Sequence, residues 1–228
     1  MVKENIVLEM KSVTRTFKQA GHTITALQKT NFSIRAGEIV AVVGPSGSGK
    51  TTFLTIAGGL QNPSSGTVTI NGKNITSLSV KELSKVRLND VGFILQASNL
   101  VPYLTVEKQL KLIDYVTKRP TNAKAVKTLF TKLQITKLRR KYPSDLSGGE
   151  RQRAAIAKVL YGTSSLILAD EPTASLDSTR AFEVMSLLKQ ETHERNKATI
   201  IVTHDERLLK YCDAVYEMHD GTLKKRSK

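Results

Sequence analysis

Three short stretches of this chain carry residue types suited to handling phosphate and water. Gly44-Pro45-Ser46-Gly47-Ser48-Gly49-Lys50-Thr51 fits G-x-x-x-x-G-K-[ST]. Glycines at this spacing let successive backbone N–H groups curl around phosphate oxygens with no β-carbon in the way. Lys50 supplies a cation for the β- and γ-phosphates, and Thr51 supplies a hydroxyl for Mg²⁺. Leu166-Ile167-Leu168-Ala169-Asp170-Glu171 offers the complementary carboxylates. Asp170 can hold the water shell of Mg²⁺, and Glu171 can polarise an attacking water. The third stretch, Leu146-Ser147-Gly148-Gly149-Glu150-Arg151-Gln152, reads as an S-x-x-E capping box opening a helix, with two glycines that leave its first N–H groups approachable. Two phosphate-binding helix starts this far apart in one sequence predict that each serves a different copy of the protein.

The elements that must position these stretches are legible from hydropathy. Ile39–Val43 and Leu166–Ala169 are apolar without polar alternation, as strands buried on both faces of a largely parallel sheet are, and Ile200-Ile201-Val202-Thr203 reads as a third. Residues 6–9, 24–27 and 66–70 read as short strands of an antiparallel layer, with turns at Gly21-His22 and Asn71-Gly72. The octad therefore lies between a buried strand and the helix-prone Thr52-Phe53-Leu54-Thr55-Ile56-Ala57. From Gln96 to Pro143 the pattern is helical and Lys-rich, an insertion without a parallel strand. The expected class is α/β: a P-loop nucleotide-binding core, an N-terminal antiparallel β subdomain and an inserted helical subdomain. Residues 1–96 and 163–228 form the core of this single domain, and 97–162 form the helical part carrying Ser147–Glu150.

At 228 residues the chain suits one such domain, and no internal repeat or low-complexity linker divides it. No apolar run approaches the ~20 residues of a bilayer-spanning helix. Met1-Val2-Lys3-Glu4-Asn5 lacks the features of a secretory signal, which predicts a cytoplasmic chain. Cys212 is the only cysteine, so an internal disulfide is excluded. The balance of 35 Lys and Arg against 20 Asp and Glu, a net +15, favours a polyanionic neighbour. Nucleotide, nucleic acid and an anionic membrane surface all qualify, and charge alone does not choose among them.

In Leu146–Gln152, joined to the other two motifs, the chain resembles the ATP-binding cassette ATPases, the nucleotide-binding subunits of ABC transporters, over essentially its whole length. That resemblance implies a RecA-like ABC ATPase fold, ATP and Mg²⁺ as ligands, and ATP hydrolysis coupled to transport. Phe17 sits where that family stacks an aromatic ring, more often tyrosine, on adenine. Gln96 resembles the glutamine that contacts Mg²⁺ and senses the membrane partner, and Ser175-Leu176-Asp177 resembles the loop that crosses a dimer interface. His204 resembles the histidine that contacts the γ-phosphate and acts with Glu171 in catalysis. The implied nucleotide contacts are Phe17, Gly44, Pro45, Ser46, Gly47, Ser48, Gly49, Lys50, Thr51, Thr52, Gln96, Ser147, Gly148, Gly149, Glu150 and Asp177, with Thr51, Gln96 and Asp170 at the metal. The implied assembly is a head-to-tail homodimer sandwiching ATP, docked through its helical part on an integral membrane permease at the cytoplasmic face of the membrane, with no nucleic acid partner.

Shorter stretches narrow the resemblance. Phe17–Gly21, Gly58-Gly59-Leu60, Val91–Gln96 and Asn99–Val106 are similar to the ATPases of lipoprotein-releasing and macrolide-efflux exporters. Leu168–Ser178 and Thr203–Leu209 are similar to the branch driving haem efflux in Gram-positive bacteria. His22, His193 and His219 are scattered and form no haem ligand set, so a separate membrane protein must select the cargo. Lys158 stands where arginine is usual in the signature helix. The alternatives are export of an antimicrobial peptide, macrolide or lipoprotein, and a cell-division ATPase that transmits force. A small-molecule P-loop kinase has no use for Leu146–Gln152, and ABC ATPases of the ribosome or nucleic acid carry tandem cassettes or long coiled coils that this chain lacks.

Overall fold

The computed structural model describes residues 5–19 and 22–227. The expected turn at Gly21 lies outside them. Two long strands open the fold, β1 (Ile6–Gln19) and β2 (His22–Arg35), followed by β3 (Ile39–Val43), α1 (Lys50–Ala57), β4 (Ser65–Ile70) and β5 (Lys73–Asn74). Next come α2 (Val80–Asp90), β6 (Val91–Ile94), α3 (Val106–Thr117), α4 (Ala123–Lys132) and α5 (Gly148–Tyr161). The chain closes with β7 (Leu166–Asp170), α6 (Ser178–Glu194), β8 (Ala198–Val202), β9 (Ala214–His219) and β10 (Thr222–Lys225).

These strands make two sheets. One is antiparallel, in the order β2-β1-β4-β5, and the other has six strands in the order β10-β9-β3-β8-β7-β6. All neighbouring pairs in the second are parallel except β9 with β10. Because strand side chains alternate in direction, β7 divides its residues between two cores. Leu166 and Leu168 join Val40, Val42, Ile200, Val202 and Phe53 on the side of the antiparallel layer. Ile167 and Ala169 join Ile39, Ile94 and Ile201 against α3 to α6. Burial on both faces is why β3, β7 and β8 read as continuous apolar runs.

The sequence-based reading needs correction at the antiparallel layer. Residues 6–9 and 24–27 are only pieces of strands fourteen residues long. Thr, Val and Phe carry β1 on past Glu9, and register shifts absorb the irregularities. At one of them Arg15 pairs with Leu27 and Thr16 with Thr25, which leaves Ala26 as an extra residue on β2. Strands β6, β9 and β10 are additions to the expected set, and so is α2, which starts on a capping box between Ser79 and Glu82.

Candidate nucleotide site

Strand β3 delivers the chain into the octad at the point where its neighbours β8 and β9 run to opposite sides, the crevice at the carboxyl ends of parallel strands where ligands bind. The loop is wedged between backbones. A β-carbon on Gly44 (φ +149°) would fall 2.1 Å from the Met218 carbonyl oxygen, and one on Gly49 (φ +107°) 2.3 Å from that of Ala26. Glycine is therefore obligatory at both positions. Gly49 is the N-cap of α1 and brings no capping side chain, so the helix starts with its N–H groups directed at the cleft.

A cleft of about 470 Å³ opens there. Gly44, Ser46, Gly47, Gly49, Lys50, Thr51, Thr52, Gln96, Asp170, Glu171 and His204 line it, as do Ala26, Ala174 and Val202, which sequence reasoning did not single out. Pro45 and Ser48 belong to the same loop without lining the cleft. Lys50 Nζ donates to the carbonyls of Gly44 (2.8 Å) and Pro45 (2.7 Å). Thr51 Oγ1 donates to Asp170 Oδ2 at 3.2 Å, which brings together a hydroxyl and a carboxylate from elements 119 residues apart in sequence. Glu171 Oε1 accepts from His204 Nδ1 at 2.8 Å, and Thr203 Oγ1 lies 3.4 Å from Oε2. Accepting Nδ1–H at the carboxylate leaves His204 Nε2 directed elsewhere. Glu171 holds φ +48°, an unusual conformation for a side-chain-bearing residue, and its N–H donates to Val202 O at 2.9 Å.

The residues present fit a magnesium-bound triphosphate. The helix start is uncapped, and among the described residues the only cation lining the cleft, apart from any charge on His204, is Lys50. Thr51 and Asp170 form an all-oxygen pair suited to a hard divalent cation.

Phe17, Ser147, Gly148, Gly149, Glu150 and Asp177 lie outside this cleft. Phe17 faces Ile24, two residues from Ala26, and the Arg15 guanidinium stacks 4.6 Å from its ring centroid. The capping box on α5 is present: Ser147 Oγ accepts from Glu150 N at 3.3 Å, and Glu150 Oε2 accepts from Ser147 N at 2.8 Å. That bond from the Ser147 backbone holds the Glu150 carboxyl below its usual range. Gly149 also has close neighbours within its own chain. A β-carbon on it would meet Ser175 O at 3.0 Å and Leu176 Cδ2 at 3.1 Å, so packing leaves little room for a side chain there. Asp177 is the N-cap of α6, accepting from Arg180 N at 2.9 Å.

Two further contacts bind these loops together. Arg207 donates to Asp205 Oδ2 (2.7 Å) and to Ser178 Oγ (3.1 Å), which ties the His204 loop to the start of α6. Lys158 donates to Asn99 O at 2.9 Å, which joins α5 to the segment after Gln96.

The model of the ABC transporter family matches residues 27–174, a span that holds the octad, the capping box and both carboxylates. The chain belongs to the ABC transporter family. Among its relatives, the putative hemin import ATP-binding protein HrtA of Staphylococcus haemolyticus is 42% identical over 220 residues, covering 96% of this chain and 99% of that protein. The protein of the same name from Staphylococcus aureus is 40% identical over 221 residues, with 96% and 99% covered. The ATP-binding cassette MJ0796, solved as a post-hydrolysis dimer bound to ADP and Pi, superposes with a TM-score of 0.89 at 34% identity, covering 97% of this chain and 100% of that one. CbiO1 of Clostridium perfringens, part of the cbiONQ transporter complex, gives 0.81 at 29% identity, with 97% and 88% covered. As an ABC cassette the protein is the ATP-binding and ATP-hydrolysing subunit of a transporter, converting ATP and water to ADP and phosphate. Cassettes of this family dimerise and pair with membrane permeases. No described helix is long and apolar enough to cross a membrane.

Proposed function

We propose that the chain powers a haem exporter, acting at the cytoplasmic face of the membrane through a permease of the macrolide-efflux or lipoprotein-releasing type. The observation that carries the catalytic part is the meeting of Lys50, the Thr51–Asp170 pair and the Glu171–His204 pair in one cleft while Ser147–Glu150 stands apart from it. A second copy presenting Ser147, Gly148, Gly149 and Asp177 completes the enclosure of the triphosphate, with Phe17 stacking on the adenine.

Lys50 and the N–H groups at the start of α1 hold the terminal phosphates, and Thr51, Asp170 and Gln96 hold the metal. Bound there, Mg²⁺ would supply charge neutralisation to the phosphate oxygens. Glu171 orients the attacking water and takes up its proton as the new bond to γ-phosphorus forms and the bond to ADP breaks. His204 holds that carboxylate in place through Nδ1. Loss of the γ-phosphate removes the anion bridging two helix starts, so the copies part and residues 97–162, acting as a helical unit, transmit the movement to the permease.

Haem as cargo rests on the HrtA relatives and on the similarity of Leu168–Ser178 and Thr203–Leu209 to haem-efflux ATPases. Those relatives are named for the opposite direction, import. The test is to co-purify the chain with its membrane subunit and reconstitute both in liposomes. Haem movement is then followed by absorbance, with ATP supplied on the cassette side. Transport away from the cassette, lost in Glu171→Gln, is expected. Movement toward the cassette overturns the exporter reading, and haem-independent ATPase activity without flux overturns the cargo.

A further inference from the structure

A second cavity, about 570 Å³, opens at the amino-terminal ends of β7 and β8, the edge of the sheet opposite the nucleotide cleft. Arg119, Arg195 and Lys197 line it, and no lining residue carries a carboxylate. Behind the wall, Asp114 accepts from Arg119 Nε (2.8 Å) and from the Tyr161 hydroxyl (2.6 Å), and Glu191 Oε2 lies 2.8 Å from Arg195 Nε as an ion pair without hydrogen-bond alignment. These acids engage the inner edges of the guanidiniums. Lys197 has no carboxylate partner among the described residues, although the residue is only 5% exposed.

Part of this charge has a local role. Arg119 Nη2 donates to Tyr161 O at 2.9 Å and Lys197 Nζ donates to Ser164 O, which satisfies carbonyls at and beyond the end of α5. That use takes one of the three ammonium donors of Lys197. Ser164 Oγ, in a residue also 5% exposed, has no hydrogen-bond partner. Burial, and then the charge of Arg195, pull the Lys197 ammonium down to about 8, against the opposing pull of Glu191. Three cations lining one cavity, one of them an ammonium without a carboxylate, beside a buried Ser164 hydroxyl without a partner, describe a site suited to an anion.

We propose that this cavity binds the phosphate group of a small phosphorylated molecule, held by Lys197, Arg195, Arg119 and Ser164. Two guanidiniums beside an ammonium match a tetrahedral oxyanion, and the cavity leaves space beyond a bare phosphate for an organic remainder.

The test uses the full chain saturated with a non-hydrolysable ATP analogue, so that the nucleotide cleft, including its γ-phosphate position, is filled. Inorganic phosphate and glycerol 3-phosphate are titrated separately by calorimetry. Both should bind, Lys197→Met should weaken binding roughly tenfold or more, and Arg195→Gln several-fold, with affinity for the analogue unchanged. Equal affinities assign the site to free phosphate, tighter binding of the ester assigns it to a phosphorylated metabolite, and both support the site. Sulfate, whose charge is fixed over the range, gives the pH arm. Lys197, faced by Arg119, Arg195, Asp114, Tyr161 and Glu191, the last also paired with Lys132, is pulled down to about 8, so sulfate affinity should hold below that pH and fall above it. Absence of binding at 10 mM of every probe, or equal affinity in wild type and both variants, overturns the proposal.

Discussion

Helices α1 and α5 both begin at glycines and both read from sequence as anion sites, yet their first turns are built differently. The start of α1 has no capping side chain and faces a cleft holding Lys50, Thr51 and Asp170. The start of α5 is closed by its own Ser147–Glu150 box, carries a carboxylate in its first turn and packs on Ser175 and Leu176. A carboxylate there offsets the positive end of the helix dipole. We therefore propose that α1 makes a phosphate site within one chain, and that α5 contributes only when a neighbouring molecule brings the phosphate to it.

The largest expected effect breaks the α1 side at the chemical step. Glu171→Gln removes the group that takes the proton from water, so phosphate release should fall by roughly 10²–10⁴. ATP affinity should stay within a few-fold, and ATP should hold the variant as a dimer on size exclusion. Unchanged turnover would remove Glu171 from its role. Next in size, Lys50→Ala should weaken ATP binding by about 10–100-fold, the value of charge-assisted bonds of roughly 1.5–3 kcal/mol. Fluorescence titration of the monomer measures it. Because α1 acts within one chain, the loss should be the same at protein concentrations far below dimerisation.

The comparison also explains what could be read in advance. The octad and Asp170-Glu171 were legible because each is continuous in sequence and lies at the end of a strand buried on both faces. The capping box was legible by its four-residue spacing, but the contact that crowds a side chain at Gly149 comes from Ser175, and no local pattern reports it. Ala26 reaches the cleft only because a register shift in β2 leaves it without a partner, and the alternation of β1 and β2 conceals that shift. Arg15 on Phe17 and Arg207 on Ser178 are surface pairings, in which an arginine reads as an ordinary solvated charge. Thr203 had a signal that went unused, its position beside His204 at the end of a buried strand.

The smallest effect sharpens the α5 side by separating its two glycines. A methyl group on Gly148 meets only Ser175 Cβ, at 3.7 Å, an ordinary contact, and alanine favours a helix over glycine by about 1 kcal/mol. The same group on Gly149 presses on the Ser175 carbonyl at 3.0 Å, a backbone atom that cannot rotate away. Gly149→Ala should therefore cancel its helical gain and lower the melting temperature by a few degrees, whereas Gly148→Ala should hold or raise it. Neither should change ATP affinity in the monomer. Both should slow hydrolysis, because each methyl narrows the approach to the N–H groups that a partner's phosphate must reach. A Gly148→Ala protein with full turnover and raised stability would mean that α5 serves packing alone, and the division of labour between the two helix starts would fail at that point.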